Sequence, residues 1–172
     1  MNFYIPEIIS RLLAPRHKLS CSWFLWRRLM ADLRDRGRNG KRESGAFLLG
    51  RRWLGRARIC DYVLYDDLDP HCLDSGIVHF DGRYFGELWE RCEVSDLACV
   101  ADVHTHPGGV LQSGSDKAHP MITRAGHLAF IVPEFAAPPV RRSMCGMYRY
   151  MGGGKWETIP PNLRKRFFHT GV

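Results

Sequence analysis

The sequence predicts a single α/β domain in which a mixed β-sheet packs against two or three helices. Short apolar runs bounded by glycines alternate with segments whose apolar residues recur at helical spacing. The chain has 172 residues, of which 45% are hydrophobic and 25% charged, as is typical of one globular domain. Internal repeats and low-complexity tracts are absent from the sequence, so disordered, collagen-like and coiled-coil classes are excluded.

The first part of the chain predicts a helix followed by a β-hairpin. The helix is expected to follow Ser22 as its cap and to end at Gly37. Its apolar residues recur at helical spacing and are Trp23, Leu25, Trp26, Leu29, Met30 and Leu33. Gly45–Gly50 and Arg58–Asp66 are rich in strand-forming residues and enclose Gly55, which predicts two paired strands joined by a turn.

The rest of the chain predicts further strands and two more helices. Ile77–Phe80 is expected to be a short strand, and Asp81 to cap the helix that follows it. Leu97–His104 is predicted to be a buried strand, followed by a glycine-rich loop and a short helix that begins near Asp116. Three more strands are predicted, at Leu128–Val132, Gly146–Met151 and Trp156–Ile159.

The charge of the chain is unevenly distributed. Its formal net charge is +7, but residues 27–58 carry eleven basic and three acidic side chains, whereas residues 61–102 carry two basic and eleven acidic ones. Because the chain is dipolar, its overall charge favours nucleic acid only weakly as a partner. We interpret the basic block as a solvated face, with an acidic partner surface as the alternative.

Six cysteines are present, and none of them forms a C-x-x-C pair. This excludes zinc ribbons, thioredoxin-like sites and haem attachment. The sequence shows neither a secretory signal nor an apolar run long enough to span a bilayer. We therefore expect a reduced, cytoplasmic protein without membrane contact.

The motif that carries chemistry lies at the end of the strand Leu97–His104. Alternate residues of a strand share a face, so His104 and His106 are expected to present two imidazoles side by side. Pro107 should end the strand, and Asp116 follows the glycine-rich loop. Two imidazoles and one carboxylate are a common ligand set for one catalytic zinc ion, Zn²⁺.

The predicted metal site has a rival ligand and needs one further catalytic residue. Two histidines at this spacing also arise by chance, and His119 is close enough to Asp116 to be a rival ligand. A zinc site that activates water also needs a base that does not bind the metal, and Glu43 is the candidate.

At these residues the sequence resembles the JAB/MPN-plus (JAMM) family of zinc metalloproteases, in its short bacterial (Prok-JAB) form. The family pattern is an upstream Glu, then H-[ST]-H-P, a loop and S-x-x-D. It is matched by Glu43, His104–Pro107 and Ser113–Asp116. Two departures are visible: Ala46 replaces a glycine, and the loop around Gly108–Gln112 is one residue shorter than is common.

The resemblance implies an MPN/JAB-like, cytidine-deaminase-like layered domain with a defined catalytic apparatus. His104, His106 and Asp116 would bind zinc, and Glu43 would accept a proton from the metal-activated water. Ser113 would stabilise the developing oxyanion, with Ser115 as the alternative. The implied domains are an N-terminal extension (1–20), the JAB/MPN-plus metalloprotease domain (21–159) and a basic C-terminal tail (160–172).

The resemblance also implies a substrate. Members of the family cleave after the C-terminal glycine of ubiquitin or a ubiquitin-like protein, in precursors or at isopeptide bonds. The implied partners are such a protein and its conjugates, and E1-like or E2-like enzymes encoded beside it, as in bacterial antiphage conjugation systems. The acidic block 61–102 would meet a basic tail, and Ile77–Phe80 and Gly108–Gln112 are the expected walls of the substrate channel.

Three other functions compete with this one. A DNA-associated protein similar to the RadC proteins would use the basic block 27–58 to bind phosphates. A non-catalytic MPN scaffold is disfavoured because every ligand position is filled. A metallo-β-lactamase-type hydrolase is disfavoured because Gly108 and Gly109 stand where that family has an Asp-His pair.

Overall fold

The computed structural model describes residues 17–171, which form an α/β fold with eight strands and four helices. The strands are β1 (Leu19–Ser22), β2 (Gly45–Trp53), β3 (Arg56–Leu64), β4 (Ala98–Thr105), β5 (Leu128–Val132), β6 (Gly146–Gly152), β7 (Lys155–Thr158) and β8 (Phe168–Gly171). The helices are α1 (Trp23–Arg36), α2 (Phe85–Ser95), α3 (Gly114–Ala118) and α4 (Pro161–Phe167). In residues 17–171, no helix has the length and apolar character that crossing a bilayer requires.

All eight strands belong to one mixed sheet, which confirms the predicted mixed sheet, whereas strands β1 and β8 and a fourth helix were not predicted. Their order is β7-β6-β5-β4-β2-β3-β1-β8. The β2–β3 hairpin is antiparallel, and β2 also pairs antiparallel with β4. The pairs β4–β5, β1–β3 and β1–β8 are parallel. Strand β4, which carries the histidine motif, therefore lies near the middle of the sheet between β2 and β5.

Helix α1 covers one face of the sheet, and both of its ends follow from the sequence. The Ser22 hydroxyl accepts a hydrogen bond from the Leu25 N–H, and Gly37 follows the last helical residue. Such a cap contributes about 1 kcal/mol to helix stability. The buried side chains of α1 are Trp26, Leu29, Met30 and Leu33. They join the larger of the molecule's apolar clusters.

A second apolar cluster covers the opposite face of the sheet. Phe47 and Tyr65 are its largest fully buried side chains, and Leu88 of α2 is buried against them. The aromatic rings of Phe80 and Phe85 pack on Phe47, with ring centroids 5.1 and 5.8 Å away. The irregular chain between β3 and α2 is thereby held against the face of the sheet from which the candidate metal ligands project.

The predicted strand at Ile77–Phe80 is wrong, because this segment has no strand partner. The neighbouring backbone groups are used in local contacts instead. The N–H of His79 donates to the Cys72 carbonyl oxygen (2.8 Å), and that of Asp81 to the Asp69 carboxylate (2.9 Å). The Asp81 carboxylate accepts a hydrogen bond from the Arg83 N–H and so caps the element that follows. That element is a short 3-10 turn, Gly82–Tyr84, which precedes α2.

The chain termini contribute more regular structure than the sequence predicts. Of the segment interpreted as an N-terminal extension, residues 1–16 lie outside the described residues, and residues 19–22 form β1. Residues 161–171, interpreted as a tail, form α4 and β8. Leu19 pairs with Phe168 and with Ala57, so β1 lies between β8 and β3 in the sheet.

Candidate metal centre

The two histidines of the motif project from the end of β4 onto the same face of the sheet. The N–H of His106 donates to the Val132 carbonyl oxygen of β5 (2.9 Å), which continues the sheet pairing past Thr105. Across the sheet, Gly45 of β2 pairs with His104. A Cβ at position 45 would overlap the Tyr65 ring, so glycine is needed there for the ring to pack over the start of β2.

Asp116 is brought to the histidines by a capping box at the start of α3. The Ser113 hydroxyl accepts a hydrogen bond from the Asp116 N–H (3.1 Å), and Oδ2 of Asp116 accepts one from the Ser113 N–H (2.6 Å). A capping box fixes the side-chain direction of its third residue as well as the start of the helix. The serine therefore orients the carboxylate.

These three residues form a group with the geometry of a metal site. Nε2 of His104 and Nε2 of His106 are 2.9 Å apart, and each lies 3.3 Å from an oxygen of Asp116. Ligand atoms bound to tetrahedral zinc at ordinary bond lengths are about 3.3 Å apart. Nε2 is the nitrogen of His104 that faces the other two ligand atoms, and among the described residues its buried Nδ1 has no hydrogen-bond partner.

Burial and charge have opposite effects on the pKa values of His104 and Asp116. The side chains of His104, His106 and Asp116 are 9%, 12% and 18% exposed. Burial alone would lower the pKa of His104, but the hydrogen bond and the negative charge of Asp116 outweigh it and raise that pKa. Burial alone would raise the pKa of Asp116, but hydrogen bonds from both histidines hold it well below its usual range. The carboxylate is thus ionised, as a metal ligand must be.

Glu43 lies on the same face as the histidines and is held by the irregular segment that follows β3. Glu43 precedes Gly45 by two residues, and its charge is among the causes that raise the pKa of His104. Oε2 of Glu43 accepts a hydrogen bond from the Val78 N–H (3.1 Å), and its own N–H donates to the Gly76 carbonyl oxygen (2.9 Å). The carboxylate is fixed near the metal group without being part of it.

A cavity of about 280 Å³ opens beside the group. Its walls include His104, Asp116, Val78, His79, Phe80, Phe85, Ser115, His119 and Met121. Ser115 thus faces the cavity, whereas Ser113 caps the helix. His119 is on the wall, but the described group with converging ligand atoms does not include it. Part of the segment Ile77–Phe80 lines this cavity, whereas the loop Gly108–Gln112 does not.

A left-handed turn holds the backbone that follows the histidines. Glu134, Phe135 and Ala136 all have positive φ, between +50° and +59°. The N–H of Phe135 donates to the His106 carbonyl oxygen (2.9 Å), and that of Glu134 to the Gly108 carbonyl oxygen (3.2 Å). Left-handed conformations are unfavourable for such residues and are found where the surroundings enforce them. This turn fixes the loop that begins at His106.

A buried polar pair behind the metal group was not predicted as part of the site. Nε2 of His127 and Oδ1 of Asp102 are 2.6 Å apart, and both residues are buried. The Tyr65 hydroxyl is 3.4 Å from the other oxygen of Asp102. Asp102 precedes His104 by two residues on the same strand face, so strand alternation alone would have placed it there.

Comparison with known proteins finds a partial sequence relative and a similar fold. No protein-family model matches the chain. Over 70 residues it is 33% identical to "Probable metalloprotease y4jG" of Sinorhizobium fredii, a match that spans 41% of this chain and 43% of that relative's length. The solution structure of protein DSY2949 from Desulfitobacterium hafniense covers 88% of this chain and 92% of its own, with a TM-score of 0.63 and 14% identity. That likeness shows the fold alone. The match to the Sinorhizobium fredii relative spans less than half of that relative, and the described residues of this chain contain a His–His–Asp group that can hold a metal ion.

Proposed function

We propose that this protein is a zinc-dependent peptidase of the JAB/MPN-plus type. The observation that carries the proposal is the convergence of the His104 and His106 imidazoles with the Asp116 carboxylate, at separations of 2.9 and 3.3 Å. Two imidazoles and one carboxylate form the three-residue set of many catalytic zinc sites, in which the fourth position stays open. The proposed peptidase unit is residues 21–159, with β8 completing the sheet beside β1.

The residues around the group can perform the proton transfers of peptide hydrolysis. A bound zinc ion would supply Lewis acidity to the scissile carbonyl and to water. Glu43 would accept a proton at Oε1, because Oε2 is held by the Val78 N–H, and would pass it to the leaving amine. Ser115 faces the cavity and Ser113 caps α3, so either hydroxyl could donate to the developing oxyanion.

The proposed substrate is the C-terminal tail of a ubiquitin-like protein, cleaved after its last glycine. The cavity beside Asp116 is walled by Phe80, Phe85 and Met121 and would take one apolar side chain of the tail. The partners proposed with it are conjugates of that protein and neighbouring E1-like or E2-like enzymes, in the setting of an antiphage conjugation system.

The acidic block has fewer carboxylates available for a basic tail than its composition suggests. Arg36 contacts both Asp66 and Asp67 at 2.8 Å, and Asp69 is buried and accepts two backbone hydrogen bonds. On α2, Glu90 and Glu93 are exposed and make no ion pair among the described residues, whereas Glu87 is paired with Arg91 at 2.7 Å. We therefore expect helix α2 to make any contact with a basic partner.

A metal and activity assay tests the proposal. The wild-type chain, purified without chelators, should carry about one zinc per molecule and cleave a ubiquitin-like protein fused through its terminal glycine to a reporter. Glu43→Gln should keep the zinc and abolish cleavage, and Asp116→Ala should lose both. A wild-type protein that binds no zinc after incubation with it would support the scaffold function instead. A zinc protein that binds DNA with steep salt dependence and cleaves no such fusion would support the RadC-like function.

A further inference from the structure

The tip of the β2–β3 hairpin exposes apolar side chains at the end of the sheet opposite the candidate metal centre. Strand β2 begins at Gly45 beside His104 and ends at Trp53, about 26 Å away for eight residues of extended chain. Leu54, at the apex, is 92% exposed, and Trp53 is 39% exposed. The tip therefore offers a convex apolar point to the solvent.

The presence of leucine at the apex is not explained by the turn. Leu54 and Gly55 are the two connecting residues, and their φ angles are +44° and +74°. Two-residue turns with positive φ at both positions strongly prefer Asn-Gly or Asp-Gly. A bulky leucine is disfavoured by this backbone, and its exposure gains no burial within the chain. A contact with a partner outside the molecule would explain why an apolar side chain stands at this position.

Arginines surround this apolar tip on one face of the hairpin. Arg51 pairs with Arg58, and Trp53 pairs with Arg56, and directly paired residues point to the same face of a sheet. The only ion pair of these arginines among the described residues is Arg51 with Asp96, at 3.5 Å and with both side chains exposed. Such a surface pair is weak and leaves the arginine available to a stronger anionic partner.

The opposite face of the hairpin is anchored to the sheet. The Arg52 guanidinium donates hydrogen bonds to the carbonyl oxygens of Cys99 and Val100, at 3.3 and 3.2 Å. The end of the hairpin is thus tied to β4, and the tip is presented on a supported strand pair. A supported tip loses less conformational entropy when it binds than a loose loop does.

We propose that this tip is a docking point for an anionic phospholipid bilayer. Leu54 would enter the boundary between headgroups and acyl chains, Trp53 would lie among the headgroups, and Arg51, Arg56 and Arg58 would bind lipid phosphates. A contact of this kind is peripheral and requires no spanning segment. It therefore differs from the sequence-based expectation of a protein without membrane contact.

The chemistry of the tip favours lipid over two other anionic partners. Trp53, which is 39% exposed, is the one aromatic ring at the tip, and the more exposed Leu54 has no π-face, whereas single-strand binders stack successive bases on several aromatic rings. A convex two-residue tip also offers much less area than the roughly 800 Å² per partner of a stable protein interface. A fluid bilayer accommodates a small convex point, because lipids rearrange around it.

This docking leaves the candidate metal centre directed away from the bilayer. The metal ligands and the tip lie at opposite ends of β2 and its neighbour β4. The proposal does not depend on the proposed peptidase function. Variants at the tip are expected to keep zinc content and cleavage in solution unchanged, so failure of one proposal does not imply failure of the other.

Vesicle flotation with the full chain tests this inference. The wild type should float with vesicles of about 30% phosphatidylglycerol in phosphatidylcholine and not with pure phosphatidylcholine vesicles. Leu54→Asn preserves the turn, because Asn accepts positive φ, and should weaken binding about tenfold or more. The matched control is Leu111→Asn, which removes another exposed aliphatic side chain (79% exposed) in the loop after His106 and should bind as the wild type does.

Charge variants and a competing ligand complete the test. The double variant Arg51→Gln/Arg56→Gln should bind anionic vesicles more weakly and with a shallower salt dependence than the wild type. Equal binding by Leu54→Asn and wild type would overturn the proposal, as would absence of wild-type binding to anionic vesicles. Binding of a single-stranded oligonucleotide of about 30 residues that is lost in Leu54→Asn, without vesicle binding, would assign the tip to nucleic acid.

Discussion

The backbone N–H of Val78 donates a hydrogen bond to Oε2 of Glu43, across 3.1 Å. The donor lies in the irregular segment after β3, and the acceptor lies just before β2. The carboxylate proposed as the proton acceptor is therefore oriented by a chain segment far from it in sequence. One of its oxygens is occupied by this bond, which leaves the other available to accept a proton.

The first prediction concerns this hydrogen bond. Val78→Pro removes the donor and should lower turnover of a cleavable fusion by about 10- to 100-fold, because a misplaced base loses its alignment with the reacting atoms. Zinc content should stay unchanged, since Glu43 is not a ligand in the group. Val78→Ala keeps the N–H and is the control. Wild-type turnover in Val78→Pro, with the fold verified by thermal unfolding, would contradict the orienting role.

The second prediction separates the two possible roles of Ser113. Ser113→Ala removes the cap of α3 and should weaken zinc binding by about 10- to 100-fold, since residues that orient metal ligands have effects of this size. Ser113→Asn retains a good capping residue and should restore zinc affinity. Competition with a chromogenic chelator measures both values. If Ser113→Asn binds zinc normally but cleaves slowly, the hydroxyl also acts on the substrate, and if Ser115→Ala alone is slow, Ser115 does so.

The third prediction concerns the buried pair Asp102–His127. Removal of one partner of a buried, hydrogen-bonded pair leaves the other polar group unsatisfied and costs about 1–3 kcal/mol of the free energy of unfolding. Asp102→Ala should show a loss of this size in urea unfolding, because it leaves His127 buried without its acceptor. Tyr65→Phe, which removes only a hydroxyl 3.4 Å from Asp102, should lose much less. Equal losses in the two variants would show that the pair contributes no special stability.

The fourth prediction follows from the raised pKa of His104 in the metal-free protein. A raised pKa in the folded state stabilises the fold below the ordinary histidine value of about 6.5, and this contribution is lost as pH rises through the raised value. Metal-free protein should therefore become less stable as pH increases past neutrality, whereas zinc-loaded protein should not. Thermal unfolding between about pH 6 and about pH 9 measures both forms.

His104→Ala is the control for this pH effect, because it removes the titrating imidazole. In this variant the metal-free protein should lack that part of the pH dependence. Zinc binding should also strengthen with pH in the wild type, since a proton must leave His104 before the metal binds. A zinc affinity that is constant across the same range would contradict the assigned protonation of the group.

Local sequence patterns predict the parts of the fold whose interactions are local. The cap at Ser22, the hairpin around Gly55 and the end of β4 near Pro107 all depend on residues within a few positions. The ligand group is equally predictable, because strand alternation brings His104 and His106 together and S-x-x-D is itself a capping-box pattern. Their spatial convergence then follows from two short elements.

The elements that were not predicted depend on distant contacts. Strands β1 and β8 have four residues each and pair with each other across almost the whole chain, and β1 also pairs with β3. At Ile77–Phe80 the apolar pattern is typical of a strand. The backbone N–H groups of His79 and Asp81 nevertheless donate to Cys72 and Asp69 and not to a neighbouring strand. No pattern within a short window contains either partner. The Val78–Glu43 bond was not predicted for the same reason.

The left-handed turn at Glu134–Ala136 has a consequence for laboratory evolution of this protein. Replacement of the exposed Glu134 by glycine would relieve an unfavourable φ without loss of buried apolar surface, and a screen that rewards only heat resistance would select it. The same change would loosen the backbone that holds His106 through its carbonyl oxygen. Selection for stability and selection for turnover would therefore favour different residues at this turn, so variants bred for one trait are expected to lose the other there.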